Sequence, residues 1–287
     1  MPKTSSAVSI VIPVFNEEDH IRGCLDAIAR QTVKPAEVII VDNNSTDRTV
    51  SIARSFPFVT IVSERRQGVV YARDRGYDVA KSEIIARIDG DSRIAPNWVE
   101  QIQKTFADPT VQAASGQITY RDVGLARGFN AVDVWIRNYL SRRMGALGEQ
   151  FLYGVNMAIR RSAWCTVREH VCHEARLHED LDLAAHLSHA AHKVVFEPAM
   201  RVSISPRQAA AGPRQFYGYV WSNSAVFTRH DMKSKRYADR IALLVTSLYI
   251  PIHILYRGYN PATRRFSVTY ALTNTTPARV SPVSDPL

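Results

Sequence analysis

Four short apolar runs, separated by stretches of helical periodicity, constrain the fold of this chain more than any other feature. The runs are Val8 to Val14, Val38 to Val41, Val59 to Val62 and Ile84 to Ile88. Between them, residues 17–30 place Ile21, Leu25 and Ile28 at spacings of four and three, and residues 68–80 read as a further helix. Ser45 or Thr46 is expected to cap a helix reaching about Ser55, and Pro96 to start one reaching about Phe106. Val111 to Tyr120 reads as extended. Strands that are apolar at nearly every position suit a sheet covered on both faces, and their alternation with helices predicts βαβ units around a parallel sheet.

In such sheets ligands bind beyond the carboxyl ends of the strands. Here the first strand ends in Pro13-Val14-Phe15-Asn16-Glu17-Glu18, the second in Asp42-Asn43-Asn44-Ser45, and the fourth in Asp89-Gly90-Asp91. No GxGxxG follows the first strand and no GxxxxGK[ST] occurs, which excludes the usual dinucleotide and P-loop sites. Residues two apart in an extended segment point the same way, so Asp89 and Asp91 face one place across Gly90. Gly90 there lets a ligand approach the backbone closely. Two such carboxylates repel unless a cation sits with them. Mg²⁺ or Mn²⁺ suits the hard oxygen ligands and takes substrate phosphates alongside.

The charge is uneven. The chain of 287 residues carries a formal +9, and residues 201–265 hold eleven Lys/Arg against Asp231 and Asp239. An anionic partner is expected for that segment, either phosphates or an acidic membrane surface. No nucleic-acid-binding motif accompanies it, so no nucleic acid is expected. Residues 241–256 are apolar between Arg240 and Arg257 but include Pro251 and His253. They fall short of the roughly 20 residues a membrane span needs. The stretch reads as an interfacial helix, with a dimer contact or a helix packed on the core as the other options. Residues 125–144 are amphipathic, through Leu125, Phe129, Val132, Trp135, Ile136, Tyr139 and Leu140. That pattern suits a helix docked on the sheet and an acceptor-side or membrane-surface element equally.

The three cysteines, Cys24, Cys165 and Cys172, form no CxxC pair and no disulfide framework, and the N-terminus reads as a first strand rather than a signal peptide. A reducing, cytoplasmic setting is expected. Six of the nine histidines lie between His170 and His192, with Cys172 among them. Zinc takes such ligands. However, Cys172 and His173 are adjacent, His186, His189 and His192 step around a helix in threes, and no closed four-ligand pattern emerges.

The stretches VSIVIPVFNEEDHIRGCLDAI, EVIIVDNNSTDRT, GVVYARDRGYDVA and IIARIDGDSRIAPNWVE resemble the N-terminal half of family 2 glycosyltransferases. GVNMAIRRSAW and HEDLDLAAHL resemble two later motifs of that family, in the same order. The resemblance covers residues 7 to about 200, apart from residues 120–150. It implies the GT-A fold, an α/β architecture with a mostly parallel sheet flanked by helices. It also implies a metal-dependent, inverting transfer of a sugar from a nucleotide-diphospho-sugar, with UDP the default, to a hydroxyl acceptor. By resemblance, Pro13, Val14, Asn16, Glu18, Asp42, Gly68, Arg73, Asp89 and Gly90 line the donor site. Asp91, with Asp89, holds Mg²⁺ or Mn²⁺. Asp180 is the base, positioned by Glu179, and Gly154, Asn156 and His178 lie on the acceptor side. Arg66 and Asp74 stand where the family has asparagines, and the resemblance assigns them no role.

These readings predict a GT-A domain over residues 1–205, with a nucleotide-binding half (1–120) and an acceptor-binding half (121–205). A helical, basic, membrane-associated extension follows over 206–287. The expected setting is the inner face of the cell membrane, with a lipid-linked or cell-envelope glycan acceptor. Two alternatives are a nucleotidyltransferase and a non-catalytic nucleotide-sugar-binding protein. The first would want a basic, glycine-rich loop after the first strand, and Asn16-Glu17-Glu18 is the opposite. The second would have little need for both acidic motifs.

Overall fold

The structure is a computed structural model that describes residues 6–121, 131, 135–136, 139, 142–149, 151–174, 177–205, 207, 212–260, 263 and 265–273. The first part alternates as the apolar periodicity predicts. It runs β1 (Val8–Val14), α1 (Ile21–Ala29), β2 (Glu37–Asp42), α2 (Thr49–Arg54), β3 (Val59–Ser63), α3 (Val69–Val79) and β4 (Ile84–Ile88). A short β5 (Arg93–Ile94), α4 (Trp98–Thr105) and β6 (Val111–Tyr120) follow. Next come β7 (Asn156–Arg160), α5 (Arg161–Val167), α6 (Glu179–His189) and β8 (Lys193–Ile204). The C-terminal part holds α7 (Pro213–Arg229), α8 (Lys235–Ser247), α9 (Tyr249–Gly258), the short pair β9 (Tyr259–Asn260) and β10 (Arg265–Phe266), and α10 (Val268–Thr273).

Eight strands form one sheet in the order β3-β2-β1-β4-β7-β6-β8-β5. β1 lies parallel to β2 and β4, β2 to β3, and β6 to β8. The sheet is therefore mixed: besides these parallel pairs, β5 runs antiparallel to β8 at one edge, and a second reversed strand sits in the middle. β7 enters antiparallel between β4 and β6, with Asn156 opposite Ile88. Its reversed direction places its first residue, not its last, at the carboxyl end of β4.

The strands are apolar throughout because both faces are covered. Ile10, Ile12, Ile40, Ala86 and Ile88 pack against Ile21, Leu25 and Ile28 of α1 and Trp98 and Ile102 of α4. Val11, Ile39, Val41 and Ile85 face the other way, against Tyr77 of α3, Trp164 of α5 and Leu183 and Leu187 of α6. Period-two alternation thus divides each central strand between two dry layers.

The start of α2 differs from expectation. Asp47, not Ser45 or Thr46, takes the first amide, its Oδ1 accepting the Thr49 N–H at 2.9 Å. Ser45 and Thr46 are drawn off by the neighbouring strand ends, donating their N–H groups to Asp42 and Asn16.

Beyond the sheet, α7 and the start of α8 pack on α6 through Leu181, Ala185, Val226, Phe227 and Ala238. The apolar stretch 241–256 is broken at Leu248 between α8 and α9. Among the described residues no helix is long and apolar enough to cross a membrane. Leu243, Leu244, Ile250 and Ile254 are exposed on these two helices, as is Leu248 between them. The amphipathic stretch 125–144 lies mostly outside the described residues.

Candidate active site

The chain runs from β1 outward through β2 to β3, then returns to β4 on the other side of β1. In sheets of this kind the ligand crevice lies where the connections diverge, which here is at the carboxyl ends of β1 and β4. On its β1–β2 side the loops are bolted to one another. Pro13 and Val14 finish β1, and the Val14 carbonyl accepts the Asn43 N–H at 3.0 Å. Asn16 adopts a left-handed φ of 52°, tolerable for asparagine. Its Oδ1 accepts the Thr46 N–H at 2.8 Å. Glu18 accepts the backbone N–H and the Nε of Arg48 at 3.1 and 3.0 Å. Asp42 accepts the Ser45 N–H at 3.1 Å. Asn43 holds the loop after β3, donating to the Glu64 and Arg66 carbonyls at 2.8 Å and accepting the Gly68 N–H at 2.8 Å. Gly68 has φ 141°, a conformation that favours glycine, and leads directly into α3.

β4 delivers the acidic pair. Asp89 and Asp91 are both buried, at 3% and 4% exposure. Gly90 between them lies against the Glu17 side chain, itself buried. Three carboxylates therefore gather at one strand end, and arginines balance them. Arg87, two residues before Asp89 on the same face of β4, donates Nη2 to Asp89 Oδ1 at 2.9 Å. Its Nη1 meets Glu179 Oε1 at 2.6 Å. Arg207 places Nη2 2.9 Å from Glu17 Oε2 and 3.0 Å from Asp91 Oδ2. Arg121 donates to the Asp91 carbonyl at 2.6 Å. Arg93 folds back on its own turn, donating to the Asp91 and Ser92 carbonyls, and covers Gly23 of α1.

The antiparallel β7 brings the later acidic motif to the same edge. Gly154, just before β7, has no room for a side chain: a Cβ there would lie 1.5 Å from Arg87 Nη1. Its N–H donates to Asp180 Oδ2 at 2.7 Å, while Asp180 Oδ1 accepts the Leu181 N–H at 2.9 Å. Each carboxylate oxygen carries a second lone pair, so Asp180 can still accept a proton from a hydroxyl. Asp180 is partly exposed, whereas Glu179 is buried. Burial pushes the Glu179 carboxyl up, with Arg87 pulling against it. Burial pulls Arg87 down, but Glu179 and Asp89 outweigh it and hold the guanidinium above its usual range, so it stays charged.

Three expected contacts take other places. Arg73, expected on the donor, is wholly enclosed. Its Nη2 meets Asp74 Oδ1 at 2.7 Å and its Nη1 donates to the Glu179 carbonyl, so it positions the first turn of α6. Asp74 in turn meets His173 Nε2 at 2.9 Å. Asn156, expected on the acceptor, is also wholly buried. Its amide donates to the Gln117 and Met200 carbonyls and accepts the Trp98 Nε1–H at 2.9 Å. It satisfies the backbone where the β6–β8 register shifts, between Gly116 and Gln117. His178, at the start of α6, turns to α7, with Nε2 3.0 Å from the Tyr219 carbonyl.

A divalent cation fits the β4 end by donor chemistry. Asp89, Asp91 and Glu17 are carboxylates, and hard oxygen donors suit Mg²⁺ or Mn²⁺. Asp91 is also where Arg207 already supplies positive charge.

Sequence reasoning missed Glu17, Arg87 and Arg207. Arg87 was legible in principle, since an arginine two residues before Asp89 on a buried strand needs a partner. Arg207 was not, because it lies 116 residues from Asp91.

The sequence profile of glycosyl transferase family 2 matches residues 9–166. The glycosyltransferase AglE of Haloferax volcanii is 34% identical over 135 residues, 44% of this chain and 44% of that protein. The chain thus matches under half the length of that curated relative. Among solved structures, a mannosyltransferase of Pyrobaculum calidifontis in complex with GDP-Man and Mn²⁺ superposes with a TM-score of 0.61 at 21% identity. That match covers 94% of this chain and 79% of that one. The Staphylococcus aureus TarS fragment 1–349 in complex with UDP-GlcNAc gives 0.56 at 15% identity, covering 86% and 72%. At these identities the likeness is one of fold.

Proposed function

The chain belongs to glycosyl transferase family 2 and has the GT-A fold, and on that premise we propose that it transfers a sugar from a nucleotide-diphospho-sugar to a hydroxyl acceptor. The observation that carries this reading is the meeting of two acidic motifs at one crevice. Asp89 and Asp91 end β4, Glu179 and Asp180 open α6, and Arg87 joins them. The nucleotide-sugars named with the two structural neighbours, GDP-Man and UDP-GlcNAc, support a donor of this class. A UDP-sugar is the donor we favour.

In the proposed reaction the acceptor oxygen attacks the anomeric carbon from the side opposite the diphosphate. The bond from that carbon to the phosphate oxygen breaks, and the configuration inverts. Asp180 takes the acceptor proton, its carboxylate aimed by the Gly154 and Leu181 amides. Glu179, held by Arg87, fixes the turn on which Asp180 sits. The rim built from Pro13, Val14, Asn16, Glu18, Asp42, Gly68 and Gly90 frames the nucleotide. Asp42 is suited to accept from a base N–H or a ribose hydroxyl. Asp91, with Asp89, would hold Mg²⁺ or Mn²⁺, which when bound stabilises the charge on the departing diphosphate.

The acceptor side is proposed to meet a membrane on its cytoplasmic face, which suits a lipid-linked or envelope glycan acceptor. Support comes from the exposed Leu243, Leu244, Ile250 and Ile254 on α8 and α9, with Arg240 and Arg257 nearby in the chain. Sedimentation with anionic vesicles checks this part, and protein left wholly in the supernatant removes it.

The test of the whole reading is thermal unfolding with UDP-, GDP- and dTDP-sugars, with and without Mn²⁺. One nucleotide is expected to stabilise the chain only when metal is present, by about 2.7 kcal/mol at a hundredfold excess over Kd. No stabilisation by any of them rejects the proposal.

A further inference from the structure

Two residues beyond Asp180, α6 opens a second polar cluster that sugar transfer does not use. Asp182 is wholly buried. Its Oδ1 lies 2.7 Å from His230 Nε2 and 3.6 Å from His186 Nε2. Its Oδ2 accepts the Cys172 N–H at 2.8 Å. One ligand atom each from Cys172, Asp182, His186 and His230 lies within 4.8 Å of all the others. His186 Nε2 is enclosed and makes no hydrogen bond. Leaving an enclosed polar atom so is unfavourable, which argues for a further occupant.

We propose that Cys172, Asp182, His186 and His230 form a structural zinc site. The donor set is one thiolate, two imidazole nitrogens and one carboxylate oxygen. That mixture suits Zn²⁺, whereas the all-oxygen set at β4 suits Mg²⁺ or Mn²⁺. Four protein ligands complete a tetrahedron and leave no open position, as structural zinc requires. Bonds of about 2.0–2.3 Å set such ligands roughly 3.3–3.8 Å apart, so small side-chain rotations close these four on an ion. The Cys172 amide on the second Asp182 oxygen orients the carboxylate, the part an outer-shell donor plays around a metal.

The ion would fasten three separate segments. Cys172 lies in the loop after α5, Asp182 and His186 stand four apart on α6, and His230 follows α7 directly. Next to Cys172, His173 reaches Asp74, the partner of Arg73, which donates to the Glu179 carbonyl. The site would therefore tie the C-terminal helices to the helix bearing Glu179 and Asp180, and steady its first turn from behind. The histidine-rich stretch 170–192 showed no closed pattern because the fourth ligand lies 48 residues past Asp182, and Asp182 itself reads as part of the acidic motif.

The test uses untagged full-length protein, stripped with a chelator and reloaded with Zn²⁺ or Co²⁺. About one zinc ion per chain is expected by mass spectrometry of the metal content, and the cobalt form should show a thiolate-to-cobalt charge-transfer band. Cys172→Ser should abolish that band, and Cys172→Ser and His230→Gln should each weaken zinc binding about tenfold or more. Asp91→Asn should keep the zinc, which separates this site from the donor-side cation and from the transferase reading. Protein that takes up no zinc, a cobalt form without the charge-transfer band, or zinc binding unchanged in both ligand variants overturns the proposal. The cobalt spectrum needs only the wild-type chain, so it decides even where variants fail to fold.

Discussion

Arg87 Nη1 lies 2.6 Å from Glu179 Oε1 while its Nη2 lies 2.9 Å from Asp89 Oδ1, so one guanidinium joins the end of β4 to the first turn of α6. All three groups are buried, and each carboxylate would otherwise stand close to further negative charge from Asp91 or Asp180. The planar fork of an arginine can serve two carboxylates at once, which a lysine ammonium matches poorly.

Arg87→Met should therefore destabilise the protein by about 3–5 kcal/mol, because it leaves buried carboxylates without their counter-charge. Urea unfolding measures this. Arg87→Lys should recover part of the loss. A Met variant as stable as the wild type would show that the bridge contributes nothing to folding.

Gly154→Ala should push Arg87 off Glu179, since the added Cβ would lie 1.5 Å from Nη1. The guanidinium cannot swing aside without breaking its ion pairs, so a cost of about 1–3 kcal/mol is expected, in the range of overpacked sites. The turnover number should fall while donor affinity, measured by calorimetry, stays near the wild-type value.

Asp180→Asn should lower the turnover number by about 10²–10⁴, the usual worth of a positioned general base. An asparagine oxygen can still accept one of the Gly154 and Leu181 amides, so the turn should persist and donor binding with it. Wild-type turnover by this variant would remove Asp180 from the role of base.

Arg207→Met should make the protein more responsive to divalent metal. Arg207 now supplies the positive charge beside Glu17 and Asp91. Without it the carboxylates repel, and a bound cation relieves more strain than before. Mn²⁺ should raise the melting temperature further in the variant than in the wild type, and EDTA should abolish the difference. Equal shifts in both proteins would show that Arg207 and the cation do not compete.

Cys24 and Cys165 should differ sharply towards iodoacetamide at pH 8. Cys24 is wholly buried, and burial pushes its thiol up to about 12, so it carries almost no thiolate there. Cys165 is exposed. Peptide mapping after brief labelling should find the modification on Cys165, with Cys24 reached only in denaturant.

Much of this could be read along the chain. The apolar runs that became β1 to β4 declare themselves by period and length, because each strand's burial on both faces writes itself into consecutive residues. The polar ends of β1, β2 and β4 follow from the same runs. Asp89 and Asp91 were legible as a pair in need of positive charge, because two like charges one residue apart at a buried strand end need compensation wherever the rest of the chain goes.

The direction of β7 had no such local signature. A buried strand reads the same whether its neighbour is parallel or antiparallel, yet only the antiparallel choice sets Gly154 against Arg87 and Asp180. Arg73 and Asn156 carry residue types that suit ligand contact, and nothing nearby in the chain reveals that Asp74, Trp98 and the β6–β8 register shift would claim them. The joining of Asp91 to Arg207 and of Asp182 to His230 spans 116 and 48 residues. The amino-acid sequence alone determined the strands, their order of appearance and the acidic chemistry at their ends, since these depend on burial and on neighbours in the chain. Only the tertiary structure decided which charges meet, because a charge pair depends on where distant segments pack, and that is settled by the whole core at once.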